Sequence, residues 1–191
     1  RYNIVPLDKK SPINCFGVAI FSNLQMLNVE SKYYYGGEGD IPLLQFDGKN
    51  IDEKSVWRVL ISGNVSKDNE SYTIATTHFT RTHDGSTSDK QREDLKNLLK
   101  ITEKKPEIIL CGDFNAPRGQ EIFSKLSEKY KDNIPPEYTS SLDTELHRIG
   151  KVKHLMVDGL FTTTHYNVTE AKLSEGVSDH KAVTAIISKV K

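Results

Sequence analysis

The sequence predicts an α/β fold in which short apolar strands alternate with two amphipathic helices. Short apolar runs rich in β-branched residues recur along the chain and have the composition of buried strands. Two polar stretches between them carry apolar residues at helical spacing, which indicates amphipathic helices. The length is that of one ordinary domain, and we expect residues 1–191 to form a single domain.

Composition indicates a soluble globular chain. Hydrophobic residues make up 36% and charged residues 27% of the sequence, and we find no transmembrane segment, which would need an apolar run of ~20 residues. Basic and acidic side chains both number 26, so no global positive field draws nucleic acid nonspecifically. There is no initiator methionine or signal peptide, so we expect that preceding residues were removed, and the compartment stays open.

The N-terminal half predicts a buried strand followed by a hairpin. Residues 16–21 are a short apolar run that we expect to form a buried strand. Residues 56–65 and 72–79 are strand-like runs joined by a polar turn at 66–71, which predicts an antiparallel hairpin. His78 is therefore expected at the end of a strand.

The middle of the chain predicts a helix, a strand and a second helix. Ser88 and Gln91 have the spacing of a capping box, and leucines at helical spacing follow them. We expect this helix to end near Pro106. Residues 107–111 have the pattern of a buried strand, and residues 122–130 carry the apolar stripe of a second amphipathic helix.

The C-terminal part predicts a long loop and three strands. Residues 132–153 are polar and contain two prolines, so we expect a long surface loop, a kind of segment that is often functional. Apolar runs follow at 155–161, 166–173 and 182–187. Asp158 interrupts the first of these runs.

Polar residues able to carry acid-base or metal chemistry occur within or at the ends of the predicted strands. They are His78, Asp113, Asn115, Asp158, Asp179 and His180. Such strand ends can converge at one edge of a sheet. Two histidines, several carboxylates and an amide, without an activated serine or cysteine, suit metal-assisted attack of water on a phosphate ester. A hard cation would take oxygen ligands.

Each of these residues is weak evidence on its own, because most aspartates and histidines at strand ends are solvated or cap a turn. Asp158 is more informative, since it lies inside the apolar run LMVDGLF. A buried carboxylate must be paired or hydrogen-bonded, and a histidine is a natural partner.

Four short motifs give the chain a resemblance to a known family. THF at 77–79, GDFN at 112–115, VDGLF at 157–161 and SDH at 178–180 resemble, in order and spacing, those of the endonuclease/exonuclease/phosphatase family. This metal-dependent phosphodiesterase superfamily includes pancreatic deoxyribonuclease. The resemblance covers nearly the whole chain. It implies an α/β four-layer sandwich of two mixed β-sheets with outer helices, and cleavage of phosphate esters with Mg²⁺, Mn²⁺ or Ca²⁺.

The resemblance also implies roles for the residues of these motifs. Asp113 would orient or deprotonate the attacking water, and Asn115 would hydrogen-bond the phosphate or that water. His180 would contact the scissile phosphate, and Asp158 would hold its imidazole in the required orientation.

Two further motif residues extend the implied site. Asp179 would help to hold the metal ion. His78 resembles a second histidine that the pancreatic deoxyribonuclease and sphingomyelinase branches place beside the phosphate or leaving oxygen, which tilts the interpretation away from dedicated abasic-site repair. Six basic residues in or near loops could border the crevice and bind substrate phosphates, although solvated surface is their commoner role: Arg58, Arg81, His83, Arg118, His147 and Arg148.

By the same resemblance, the chain corresponds to about the C-terminal three quarters of the family's domain. Family members begin with a strand carrying an asparagine, followed by a helix and a strand ending in Gln-Glu, whose glutamate is a principal metal ligand. We find neither motif and expect this N-terminal strand-helix-strand to be missing. Gln120 and Glu121 are no substitute, because they open a helix after GDFN. This chain alone is expected to bind magnesium weakly.

The sequence thus leads us to expect a metal-dependent hydrolase of phosphate esters. We favour a phosphodiesterase or nuclease in which a metal-assisted water attacks near Asp113, helped by the Asp158–His180 pair. Nucleic acid is the preferred substrate class, and no stable protein partner is implied. Phospholipid or inositol phosphate head groups are the second class. The alternative from another functional class is a noncatalytic binding module with a decayed site. The presence of all the catalytic positions that the four motifs match argues against it.

Overall fold

A computed structural model describes residues 5–8, 11–37, 45–47, 50–82, 85–150 and 153–191. Within these ranges the helices are α1 (Asp89–Thr102) and α2 (Glu121–Lys129), and a 3₁₀ turn spans Glu53–Ser55. The strands are β1 (Val5–Asp8), β2 (Ser11–Phe16), β3 (Met26–Tyr35), β4 (Phe46–Asp47), β5 (Asn50–Ile51), β6 (Arg58–Lys67), β7 (Glu70–His78), β8 (Ile109–Asp113), β9 (Lys131–Asp132), β10 (Asp158–Thr162), β11 (Tyr166–Ser174) and β12 (Ala182–Lys189).

Six of these strands form the main sheet, in the order β3-β6-β7-β8-β10-β9. The sheet is mixed, because β7 and β8 are parallel and the other neighbours are antiparallel. The predicted hairpin is confirmed as β6 and β7, with a tighter turn than expected. Asp68 and Asn69 alone connect the strands, and both have positive φ, as two-residue hairpin turns with the right twist require.

The two helices cover one face of the main sheet, and both predicted helices are confirmed. Ser88 Oγ accepts the backbone N–H of Gln91 at 3.1 Å, and the Gln91 side chain accepts the N–H of Ser88, which completes the predicted capping box. The helices and the sheet share one core, which includes Ala75, Leu95, Leu98, Leu110, Phe123 and Phe161. Each fully buried leucine or phenylalanine stabilises the fold by roughly 1.5–3 kcal/mol.

A second sheet covers the opposite face of the main sheet. It is the antiparallel pair β11 and β12. Its inward side chains, among them Val168, Val183 and Ile187, pack against Ile109 and Leu160 of the main sheet. The structure therefore has the predicted mixed α/β architecture, with two sheets face to face and helices outside. In the described part of the chain the second sheet contains these two strands.

Two expectations about individual segments are wrong. Residues 16–21 do not form a buried strand: β2 ends at Phe16, and Phe21 is 93% exposed. An apolar run forms a buried strand only where a second apolar surface covers it, and this run is left largely uncovered by the described elements. In the segment 132–153, Asp132 ends β9 and residues 133–150 form a loop, but this loop is not confined to the surface, because Ser141, Leu142 and Asp143 are buried.

Candidate active site

Three neighbouring strands place three of the predicted residues in register at one edge of the main sheet. His78 ends β7, Asp113 ends β8 and Asp158 begins β10. Asp113 is the pairing partner of both His78 and Asp158. Residues paired in register present their side chains on the same face of a sheet, so these groups come together. Nε2 of His78 lies 3.4 Å from Oδ2 of Asp113.

Gly112 makes this close approach of β7 and β8 possible. Its φ is +143°, and a Cβ built on it would lie 2.0 Å from the carbonyl oxygen of Thr77. No side chain fits at that distance, so glycine is required immediately before Asp113. The strand pairing also continues one residue beyond β7, because the N–H of Phe79 donates to the carbonyl of Asp113 at 2.8 Å.

Asn115 is held on the β7 side of the site. Its φ of 48° is left-handed, a conformation that asparagine tolerates. Its backbone N–H donates to Oδ1 of Asp113 at 2.7 Å, and its Nδ2 donates to the carbonyl of Phe79 at 3.0 Å. The side chain of Gln91 donates to the carbonyls of both Asn115 and Thr80. The amide of Asn115 is therefore fixed beside the Asp113 carboxylate.

The predicted hydrogen bond between Asp158 and His180 is confirmed, with 2.7 Å between Oδ2 and Nδ1. His180 precedes β12 and reaches the sheet edge because it pairs with Leu142 in an isolated β-bridge. Ser141 Oγ accepts the backbone N–H groups of Val157 and Asp158, each at 3.1 Å. The buried loop segment thus anchors both members of the pair.

The surroundings of His180 and Asp113 favour the charged form of each side chain. The hydrogen bond to Asp158 raises the pKa of His180 to about 9, against the effect of burial. Burial raises the pKa of Asp158. Burial would also raise the pKa of Asp113, but the hydrogen bond from His78 and the charges of His78 and His180 hold it below its usual value. At neutral pH, His180 is therefore protonated and Asp113 is ionised.

Two overlapping groups of ligand-type side chains occupy this edge. In the first, oxygen or nitrogen atoms of Asp113, Asp158 and His180 all lie within 4.8 Å of one another. In the second, the same holds for His147, Asp179 and His180. His180 belongs to both groups and connects Asp179 to the strand-edge residues. The structure thus brings together all six residues singled out from the sequence.

The donor set fits a hard divalent cation. Three carboxylates occur in these groups, and magnesium, manganese and calcium prefer oxygen ligands. Asp113 and Asp158 face each other in register, and a cation would offset the repulsion between their charges. Each group therefore offers carboxylate oxygens to an ion, from Asp113 and Asp158 in the first and from Asp179 in the second.

The basic residues expected at the rim of the crevice differ in their contacts. Arg58 is buried, pairs with Glu53 and donates to the backbone carbonyl of His78 at 3.2 Å, so it supports the strand end. Arg118 pairs with Asp132 at 2.7 Å and donates to three loop carbonyls, which is a structural role. Arg81 and Arg148 are exposed, and His83 lies outside the described residues.

Asp143 is a residue of this region that sequence reasoning missed, and His147 was recognised only as a rim candidate. Asp143 is 2% exposed, and its carboxylate accepts the N–H groups of Glu145, Leu146 and Gly176 at 2.7–2.9 Å. These hydrogen bonds lower the pKa of Asp143. The one signal in the sequence was the unusual length of the polar loop.

A mixed α/β fold with carboxylates and imidazoles gathered at one sheet edge has the groups that metal-assisted hydrolysis of a phosphate ester requires. The model of the endonuclease/exonuclease/phosphatase family matches residues 14–180, and the chain belongs to this family. Comparison with the curated proteins found no match. Among the described residues, no helix has the length and apolar composition needed to cross a membrane.

Solved structures of similar fold include members of the same family. The endonuclease/exonuclease/phosphatase from Bacteroides vulgatus has a TM-score of 0.62 and 13% identity over 87% of this chain and 66% of that one. The human Nocturnin catalytic domain with bound sulfate anion has a TM-score of 0.58 and 18% identity, over 100% and 72%. The Bacteroides thetaiotaomicron mannosyl-6-phosphatase Bt3783 has a TM-score of 0.56 and 13% identity, over 98% of this chain and 76% of that one. The chain thus spans about two thirds to three quarters of the length of these proteins, and at such identities the likeness shows the fold alone.

Proposed function

We propose that this chain carries the catalytic groups of a metal-dependent phosphodiesterase or nuclease. The observation that carries the proposal is the cluster of Asp113, Asp158 and His180, whose polar atoms lie within 4.8 Å of one another beside His78. The protonation states complement each other, with an anionic Asp113 and a cationic His180. Such a pair suits a reaction that needs a proton acceptor and a charge stabiliser at the same phosphorus.

The side chains divide the reaction between them. Asp113 orients the attacking water and accepts its proton as the water oxygen bonds to phosphorus. His180 donates from Nε2 to a phosphate oxygen and stabilises the charge that develops there, because its Nδ1 is held by Asp158. The bond from phosphorus to the leaving oxygen breaks, and this oxygen recovers a proton from solvent. His78 lies against Asp113 and keeps its carboxylate in place.

Asn115 and Asp179 complete the set. Nδ2 of Asn115 carries a second N–H besides the one given to Phe79, and this N–H is available to the phosphate or the water. Asp179 and Asp113 would hold a divalent cation, which we propose to be magnesium. When bound, the cation would supply positive charge that offsets the negative charge of the phosphate oxygens.

Nucleic acid is the substrate class that we propose first. The family name covers endonucleases, exonucleases and phosphatases, and His78 beside Asp113 corresponds to the second histidine that the resemblance associates with the pancreatic deoxyribonuclease and sphingomyelinase branches. Phospholipid and inositol phosphate head groups contain the same ester chemistry and are the second class. The intact geometry of the cluster argues against a noncatalytic binding module.

Single substitutions in the complete protein test the proposal. Asp113→Asn and His180→Ala should each lower turnover of bis(p-nitrophenyl) phosphate by at least roughly 100-fold, with unchanged circular dichroism. His165→Ala is the matched control, because His165 is an exposed histidine away from the cluster. Single-stranded DNA, RNA and phospholipid substrates, each with magnesium or with chelator, would rank the substrate classes. Unchanged hydrolysis in both variants would reject the assigned roles.

A further inference from the structure

We propose that His147 is a further substrate-binding residue, which donates a hydrogen bond from Nε2 to a phosphate oxygen of the substrate. This inference rests on the proposed function, since it assigns a second donor to the same site. His147 lies in the loop between β9 and β10, and the sequence had suggested it only as one of six basic residues that could border the crevice.

His147 is in direct contact with the cluster. Its ring meets the ring of His180 edge to face, with 5.6 Å between centroids and 70° between planes. A polar atom of its ring lies within 4.8 Å of polar atoms of both Asp179 and His180. The side chain is partly buried. A phosphate that contacts His180 is therefore within reach of His147 as well.

A backbone hydrogen bond decides which nitrogen of His147 carries the proton. The N–H of Ile149 donates to Nδ1 of His147 at 3.2 Å. Nδ1 must then offer its lone pair, so the ring hydrogen is on Nε2. A nitrogen that carries a hydrogen donates to anions and does not coordinate metals. The hydrogen-bond donor of the His147 ring is thus Nε2, although the spacing of the ring from Asp179 and His180 resembles that of a metal ligand.

Asp143 holds His147 in this position. Its carboxylate accepts the N–H groups of Leu146 in the loop and of Gly176 in the segment before His180. Its own carbonyl accepts the N–H of His147 at 3.2 Å, and its own N–H donates to the carbonyl of Asp179 at 2.9 Å. One buried residue therefore fastens the loop that carries His147 to the segment that carries Asp179. A donor held in place before the substrate arrives loses less entropy on binding.

A series of contacts links His147 to the rest of the site. His78 contacts Asp113, Asp113 adjoins Asp158 and His180, and His180 contacts His147. A phosphate centred on His180 would thus lie beside a series of groups that ends in His147.

The test compares His147→Ala, His147→Gln and the control His165→Ala in the complete protein. His147→Ala should lower kcat/KM for bis(p-nitrophenyl) phosphate roughly 10- to 100-fold, mainly through KM, because a hydrogen bond to an anion is lost. His147→Gln should recover much of this loss, since the amide keeps a neutral N–H donor. Affinity for inorganic phosphate, measured by calorimetry, should fall in His147→Ala, while affinity for manganese should be unchanged.

Several outcomes would overturn the inference. Kinetics and phosphate affinity of His147→Ala equal to those of His165→Ala would show that the side chain does not touch the substrate. A loss of manganese affinity in His147→Ala would make it a metal ligand, contrary to the assigned tautomer. Failure of the proposed function is distinguishable, because Asp113→Asn and His180→Ala would then keep their activity. Weaker phosphate binding by His147→Ala would support the inference even in that case.

Discussion

Replacement of Gly112 by alanine should destabilise the protein strongly. The added Cβ would lie 2.0 Å from the carbonyl oxygen of Thr77, so β7 and β8 would have to separate by about 1 Å or more to restore an ordinary contact. A side chain at a positive φ adds about 1–2 kcal/mol of strain. With about 1–3 kcal/mol for the forced displacement of packed strands, we expect a loss of about 2–5 kcal/mol in the free energy of unfolding.

Gly119→Ala is the matched control for this substitution. Gly119 also has a positive φ, +88°, but a Cβ there would meet nothing within 4 Å. It should therefore lose only the conformational strain of about 1–2 kcal/mol. Urea denaturation of the unsubstituted protein, Gly112→Ala and Gly119→Ala measures the difference in the free energy of unfolding. Equal losses for the two alanine variants would refute the close-approach argument. Hydrolysis should also fall more in Gly112→Ala, because the displaced strands carry His78 and Asp113.

Two further substitutions test the site electrostatics and a helix terminus. Asp158→Asn should lower the pKa of His180 from about 9 toward 6.5. NMR of the imidazole measures this pKa in protein treated with a chelator. Because the folded-state pKa is the raised one, the stability that His180 contributes is present below about pH 6.5 and is lost as the pH rises through about 9; the variant should lack this loss. An imidazole that titrates near 6.5 before substitution would contradict the pairing. Ser88→Ala should lower the free energy of unfolding by about 1 kcal/mol through loss of the cap on α1, and an unchanged urea midpoint would disprove it.

Local patterns predicted both helices and six of the twelve described strands, namely β6, β7, β8, β10, β11 and β12. The capping box at Ser88 was recognisable because its two hydrogen bonds join residues three positions apart. The hairpin of β6 and β7 was predicted from two apolar runs around a polar turn. Residues 16–21 show the limit of this reasoning, since burial depends on a covering surface that the run itself does not encode. Phe21 has the composition of a core residue and lies in solvent.

The candidate residues were chosen from the sequence by type and motif, and their contacts were only partly deducible. The Asp158–His180 hydrogen bond could be predicted, because a carboxylate inside an apolar run needs a partner. The burial of Asp143 and the contact of His147 with His180 could not be predicted, because the polar loop that carries them has no periodicity and its fold depends on hydrogen bonds to the segment before β12.

The sequence by itself determined the α/β class, both helices, the six strands β6, β7, β8, β10, β11 and β12, and the identity of the six candidate residues, because these depend on local periodicity and short motifs. Tertiary structure alone decided that Asp158 pairs in register with Asp113, and that His147 reaches His180. Both contacts join segments far apart in the chain. Their geometry follows from strand register and loop closure, which depend on the whole packed fold.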